Sequence, residues 1–255
     1  MKAAEEDRTE LQPTSLERKL GQEGSALSRY QRAVIGRKGL LTLFLYEVIN
    51  FFILPLPGKP GIWLRRIILP YLLGETGRNI SMGANCTVRN GAAIFIGASA
   101  CIAENVTLDV KPGDNRLSIG DRVHIGRMTI FNCNGGKIEI GDSTEIGEFC
   151  RLGSLQGLTV GRHCTIGDRC CLSGASHAFA DIDVPIIQQP ITCKGATVIG
   201  NHVTLGEDVT VLDGVTIGDN VTILGGSLVN KNIADDQVAG GVPARSLDPK
   251  HTGIT

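Results

Sequence analysis

Aromatic side chains make up only 4% of the 255 residues, and there is a single tryptophan, Trp63. A chain so poor in rings does not fill a wide core, where aromatics carry much of the buried area. It fits a narrow interior that takes Ile, Val, Leu, Ala, Thr and Cys. An excess of one charge is also lacking: 25 Lys and Arg against 26 Asp and Glu leave a formal net charge of −1. That balance argues against a broad electrostatic attraction to nucleic acid. The eight cysteines contain no Cys-x-x-Cys pair, so the spacing of a zinc or dithiol motif is missing. No apolar run reaches the ~20 residues that span a bilayer. The opening Met1-Lys2-Ala3-Ala4-Glu5-Glu6-Asp7 is not followed by the apolar stretch of a secretion signal.

What is present is a period of six. Cys193, Ile199, Leu205, Val211, Ile217, Ile223 and Val229 recur at every sixth position, and Thr197, Val203, Val209, Val215, Val221 and Ser227 form a second register. Neither a helix, with period 3.6, nor a flat strand, with period 2, has six as its repeat unit. The pattern predicts an all-β solenoid wound as a triangular prism, each unit giving one short strand and one corner. Coils stack as parallel strands about 4.8 Å apart, each burying another layer of aliphatic residues. The same phase appears upstream in Ile96-Gly97, Ile119-Gly120, Ile125-Gly126, Ile140-Gly141, Ile146-Gly147, Val160-Gly161 and Ile166-Gly167. It breaks near 110–117, 131–139 and 153–159, and winding is expected to begin near residue 80.

The phase also accounts for the cysteines. Cys86, Cys150, Cys164 and Cys170 fall on the small inward position and Cys193 on the larger one, where a free thiol acts as a compact hydrophobe. A reducing cytoplasm is the matching compartment. Asn-x-Ser/Thr triplets at Asn79, Asn85, Asn105 and Asn220 read as corners of the repeat rather than as glycosylation sites.

Four segments follow. Residues 1–39 are polar and expected to be mobile or loosely helical. Residues 40–78 are apolar and helical, and two roles stay open for them. Leu40–Leu56 carries Thr42, Tyr46, Glu47 and Asn50 on one side, and Trp63-Leu64-Arg65-Arg66 joins an interfacial ring to two cations, a composition suited to lying on an anionic membrane surface. The other role is capping the open end of the prism, or packing within an oligomer, because a solenoid needs a cap. Residues 79–246 are the β-helix, and 247–255 a tail.

The sixfold phase runs into Leu172-Ser173-Gly174-Ala175-Ser176-His177, leaves the prism over 178–190 and resumes at Cys193. An excursion of that length from a tight coil is a place for a site. His177 stands at its base, with a neutral imidazole able to take up a proton near pH 7.

The stretch from Ser176-His177-Ala178-Phe179 through Asp181, Asp183 and Pro185, then Gln189-Pro190-Ile191, then Val229-Asn230-Lys231-Asn232 and Gly240-Gly241-Val242-Pro243-Ala244-Arg245, resembles the hexapeptide-repeat acyltransferases. It is most similar to the sugar O-acetyltransferase branch, over residues 80–246. The resemblance implies a left-handed parallel β-helix, a homotrimer with sites between subunits, acetyl-CoA as donor, a saccharide as acceptor and no metal. It makes His177 the general base. It offers Gly200 or Asn201 as the oxyanion donor, and Gly200, Gly225, Gly226, Ser227, Lys231 and Arg245 as coenzyme A contacts. Asp181, Asp183 and Gln188 are then acceptor-binding candidates.

Two positions depart from the family pattern: Val198 stands where a Trp is frequent, and the acid that often precedes the Pro-Ile is absent, leaving Asp181 and Asp183. Two competing readings are a zinc carbonic anhydrase of the same prism type and a non-enzymatic scaffold. The first needs three converging histidines, whereas His124 and His177 fall at a different place in the repeat from His163 and His202.

Overall fold

The computed structural model describes residues 9–11, 25–37, 39–178, 181–183, 185 and 189–247, of which 9–11 and His177 are described by backbone alone. Its body is a parallel β-helix of three faces. The first face stacks seven strands from Glu75–Thr76 to Thr216–Ile217, and the third stacks seven from Thr87–Arg89 to Leu228–Val229. The second begins at Ser81–Met82 and ends in Val238–Gly241, closed by an antiparallel partner, Ala244–Leu247. Winding therefore starts at Glu75, a few residues before the expected point.

Successive turns are in register, so identical positions form columns. Val88, Leu108, Phe131, Leu152, Leu172, Val211 and Val229 line the interior of the third face and are each 0% exposed. Burial of each such side chain contributes roughly 1.5–3 kcal/mol. Phe131 is the exception to an interior of small and aliphatic residues.

The corners need backbone with positive φ. Asn79, Asn85, Asn105 and Asn220 have φ between 57° and 63°, a region Asn tolerates better than most residues. All four glycosylation-like triplets are thus corner asparagines. Where two turns touch at a corner there is no room for a side chain: a Cβ on Gly167 would lie 2.7 Å from the Glu207 nitrogen.

Three helices close the N-terminal end. Helix α1 (Ala26–Tyr30) starts where the Ser25 hydroxyl accepts from the Ser28 N–H, continues as a wider π-turn over Gln31–Ile35, and stops at Gly36 with φ 76°. Helix α2 (Leu40–Val48) continues the same way over Ile49–Ile53, and α3 spans Gly58–Leu72. From helix α2 Tyr46 turns inward, its hydroxyl donating to the Val88 carbonyl at 2.8 Å, while Glu47 on the same expected polar side is exposed and accepts from the Tyr30 hydroxyl at 2.7 Å. From α3 the Arg65 side chain, 1% exposed, donates to the carbonyls of Met82, Ile53, Leu54 and Leu56. Two parts of the polar front take regular structure, helix α1 and a strand at Thr9–Leu11 that pairs antiparallel with Ile191–Cys193. The strand departs from the expected mobile or helical segment.

Candidate functional site

Every interruption of the sixfold phase falls on one edge of the prism, where the third face turns into the first. That edge carries the insertions at 111–115, 134–136, 155–157 and 173–196. Their different lengths reset the phase along the chain, but the turns stack, so the loops lie above one another. The longest leaves the prism after Cys171–Leu172, runs through Ser176–His177 and returns through Ile191–Cys193 as an antiparallel pair. Backbone pairing sets His177 opposite Ile191, and Thr9–Leu11 adds a third strand to this small sheet.

A cavity of about 930 Å³ opens between this edge, the outer surface of the third face and helix α1, within the usual range for a small-molecule site. Ser176 and Ile191 form its excursion side, and Arg29, Arg32 and Ala33 its helical side. Lys111, Asp114, Asn132, Arg151, Gly153 and Cys171 complete the floor and walls. Four cations against one carboxylate favour an anionic or strongly polar guest. In the floor Asn132 stands in register between Asp109 and Gly153. The glycine leaves open depth beside Asn132, whose Oδ1 is buried and, like Oδ1 of Asp109 on the adjoining strand, has no hydrogen-bond partner among the described residues. Asp109 behind it accepts from Lys111 Nζ at 2.6 Å and meets Arg89 at 3.5 Å, which holds the lysine at the cavity wall.

The sequence candidates distribute over several places. Gln188 and the His177 imidazole lie outside what is described. Asp181 and Asp183 are exposed and do not line the cavity; the Asp181 side chain accepts from the Asp183 N–H at 3.0 Å, and its carbonyl accepts from Gln189 at 2.6 Å. Both Asp181 contacts shape the excursion. Gly200 and Asn201 sit on a different edge, between first and second faces, and their N–H groups are already engaged: Gly200 donates to the Ile217 carbonyl at 2.8 Å and Asn201 to Asp219 Oδ1 at 2.6 Å. Asn201 belongs to a ladder in which each side chain accepts from the backbone of the preceding turn, as Asn201 does from Arg162, Asp142 from Asp121 and Asp121 from Ala98.

Ser227 is likewise structural, buried with its hydroxyl donating to the Leu224 carbonyl and accepting from the Gly241 N–H at 3.1 Å. Gly225 and Gly226 are exposed at the edge between second and third faces, Lys231 is exposed on the same edge as the excursion two turns further on, and Arg245 is exposed on the terminal hairpin. Within one chain these do not converge. Of the residues that do, Arg29, Arg32, Lys111, Asn132 and Arg151, the breaks in the sixfold phase mark Lys111 and Asn132, and no signal marks the others.

Burial pushes the thiols of Cys86 and Cys133 up to about 11. Cys150 and Cys170 share a thiol hydrogen bond that lowers the first and raises the second. All eight cysteines are free. His163 and His202 stack on successive turns with ring centroids 5.1 Å apart. Among the described residues no three His, Cys, Asp or Glu converge as metal ligands.

Residues 196–231 match the bacterial transferase hexapeptide family (six repeats). A Mycobacterium tuberculosis protein named "Probable acetyltransferase" is 28% identical over 162 residues, 64% of this chain and 52% of its own length. Escherichia coli K12 WbbJ, named for O-acetyl transfer in lipopolysaccharide biosynthesis, is 26% identical over 168 residues, covering 64% of this chain and 74% of its own. The chain thus spans about half of the first relative and three quarters of the second. Among solved structures, a point mutant of AntD, an N-acyltransferase from Bacillus cereus bound to dTDP and coenzyme A, superposes with a TM-score of 0.50 at 21% identity, over 71% of this chain and 87% of that one. That likeness is one of fold.

Proposed function

We propose, for a chain that carries the hexapeptide repeat of bacterial transferases, that it is an acyl-CoA-dependent O-acetyltransferase acting on a saccharide hydroxyl. The observation that carries this reading is the excursion with His177 in its first strand, folded beside a cavity lined by Ser176, Asn132, Lys111 and Arg151. In the reaction, the His177 imidazole takes the proton of the acceptor hydroxyl as its oxygen attacks the thioester carbonyl. The carbon–sulfur bond then breaks, and the leaving thiolate recovers the proton from the imidazolium. A hydroxyl is a weak nucleophile near neutral pH, so a positioned base contributes on the order of 10²- to 10⁴-fold, and alignment of the two substrates adds further acceleration.

The acceptor occupies the cavity, with Asn132 and Arg151 as its polar contacts and Lys111, paired with Asp109, at the wall. Acetyl-CoA lies between copies of a homotrimer, where Lys231 on one copy's loop edge and the exposed Gly225 and Gly226 of a neighbour offer a charged contact and close backbone approach. Arg245 remains a phosphate contact in this arrangement. The test is thiol release from acetyl-CoA with a panel of saccharides, read alongside the mass of the acceptor. Acetylated sugar from the native protein and its loss in His177→Ala are expected. Equal turnover in the variant, or acetylation of amines alone, would overturn the assignment.

A further inference from the structure

Helix α2 and its continuation bury Tyr46 and Ile49 against the solenoid, while Phe44, Phe51 and Phe52 on the outer side are 64%, 75% and 64% exposed. Three rings at that exposure form an apolar outer stripe that no described residue covers. Helix α3 continues the outward apolar surface with Trp63, 65% exposed, together with Ile67 and Tyr71. Lys59 is exposed at the start of the same helix, whereas the exposed Arg66 turns back to donate to Oδ1 of Asn79 at the first corner of the solenoid.

Charge is segregated in the same way. Residues 26–73 hold seven Lys and Arg and a single carboxylate, Glu47, a formal +6 against −7 for the rest of the chain; Arg65 is buried and Arg29 and Arg32 line the cavity, which leaves Lys59 as the cation exposed beside the rings of α3. A surface joining exposed rings to cations is complementary to a bilayer with anionic headgroups, in which rings enter the interface and cations stay at the phosphates. Among the described residues no helix is long and apolar enough to cross a membrane, so the contact is with one leaflet.

We infer that the outer faces of α2 and α3 dock the protein on an anionic lipid surface, while their inner faces close the solenoid. The two roles left open by the sequence belong to opposite sides of the same helices. Docking also sets the loop-edge cavity close to the membrane, because Arg29 and Arg32 of the neighbouring helix α1 form one of its walls.

Trp63 is the chain's sole tryptophan and reports directly on this surface. Full-length protein is mixed with vesicles of phosphatidylcholine alone and of phosphatidylcholine with phosphatidylglycerol. Expected are flotation with the anionic vesicles and a blue shift of Trp63 emission, both weaker with phosphatidylcholine alone. Lys59→Gln should weaken anionic binding roughly fivefold, and Phe44→Ser with Phe51→Ser should abolish the shift. An unchanged spectrum and no flotation would overturn the inference. Equal binding to both vesicle types would overturn its anionic part. Emission already blue-shifted without lipid, with self-association lost in the Phe variants, would assign the surface to a second copy of the chain instead.

Discussion

The Nε of Arg65 donates to the carbonyl of Met82 at 2.8 Å, tying helix α3 to the first turn of the prism. The same guanidinium reaches Leu56 at 2.6 Å from Nη1, so one buried cation joins the helical cap to the solenoid. Burial lowers its pKa, a sign of the desolvation that these carbonyls offset. Arg65→Met leaves those acceptors without a donor, and a loss of about 3 kcal/mol is expected. Thermal unfolding measures it, and proteolysis between residues 26 and 73 should quicken in the variant.

Asn201 distinguishes a structural ladder from a catalytic group. Its side chain accepts from the Arg162 N–H at 3.0 Å and donates to Asp219 at 3.2 Å. Asn201→Ala removes both and should cost about 1–2 kcal/mol of stability, while turnover at saturating substrates changes less than about twofold. Asn201→Asp keeps the acceptor and should recover part of the loss. A fall in turnover comparable to that of His177→Ala, at unchanged stability, would return Asn201 to the reaction centre.

How far the fold was legible follows from these residues. The sixfold phase of Ile199, Leu205 and Val211 foretells the rungs, because each turn must repeat the inward position to bury it. The ladder was also written in the chain, as Gly120-Asp121, Gly141-Asp142, Gly200-Asn201 and Gly218-Asp219, but a single Asn beside a catalytic-looking loop hides it. The cavity was not legible. Lys111, Asn132, Arg151 and Ser176 are far apart in sequence and meet only because unequal loops stack on one edge. The inward position of Tyr46 escaped for another reason: the top turn presents an open carbonyl at Val88, and the Tyr46 hydroxyl satisfies it.

Arg151 and Asn132 test the cavity as acceptor site. Both line it away from the excursion, on the outer surface of the third face. Asn132→Ala removes an amide from the floor and Arg151→Ala a cation, and each should raise the acceptor KM roughly tenfold, in line with a hydrogen bond involving a charged or buried partner. The KM for acetyl-CoA should stay within about twofold, since the donor is assigned elsewhere. Unchanged acceptor KM in both variants would remove the cavity from the acceptor's path.

Cysteine labelling gives a view of the same cavity that needs no turnover. Cys101 is exposed, Cys171 is half-buried and lines the cavity, and the other six are buried. A thiol reagent attacks the thiolate, and burial holds Cys86 and Cys133 at about 11, so these remain protonated near neutral pH and are also out of reach. In folded protein Cys101 should react first, Cys171 more slowly, and the remaining six only on unfolding. In Cys101→Ser the slow phase then belongs to Cys171 alone, and a saccharide that enters the cavity should retard it in proportion to occupancy. Arg151, beside Cys171 on the adjacent strand, links the two measurements: Arg151→Ala should weaken that protection by the same factor as it raises the acceptor KM. Protection that persists undiminished in Arg151→Ala, or no protection by any acetylated sugar, would place the acceptor outside the cavity.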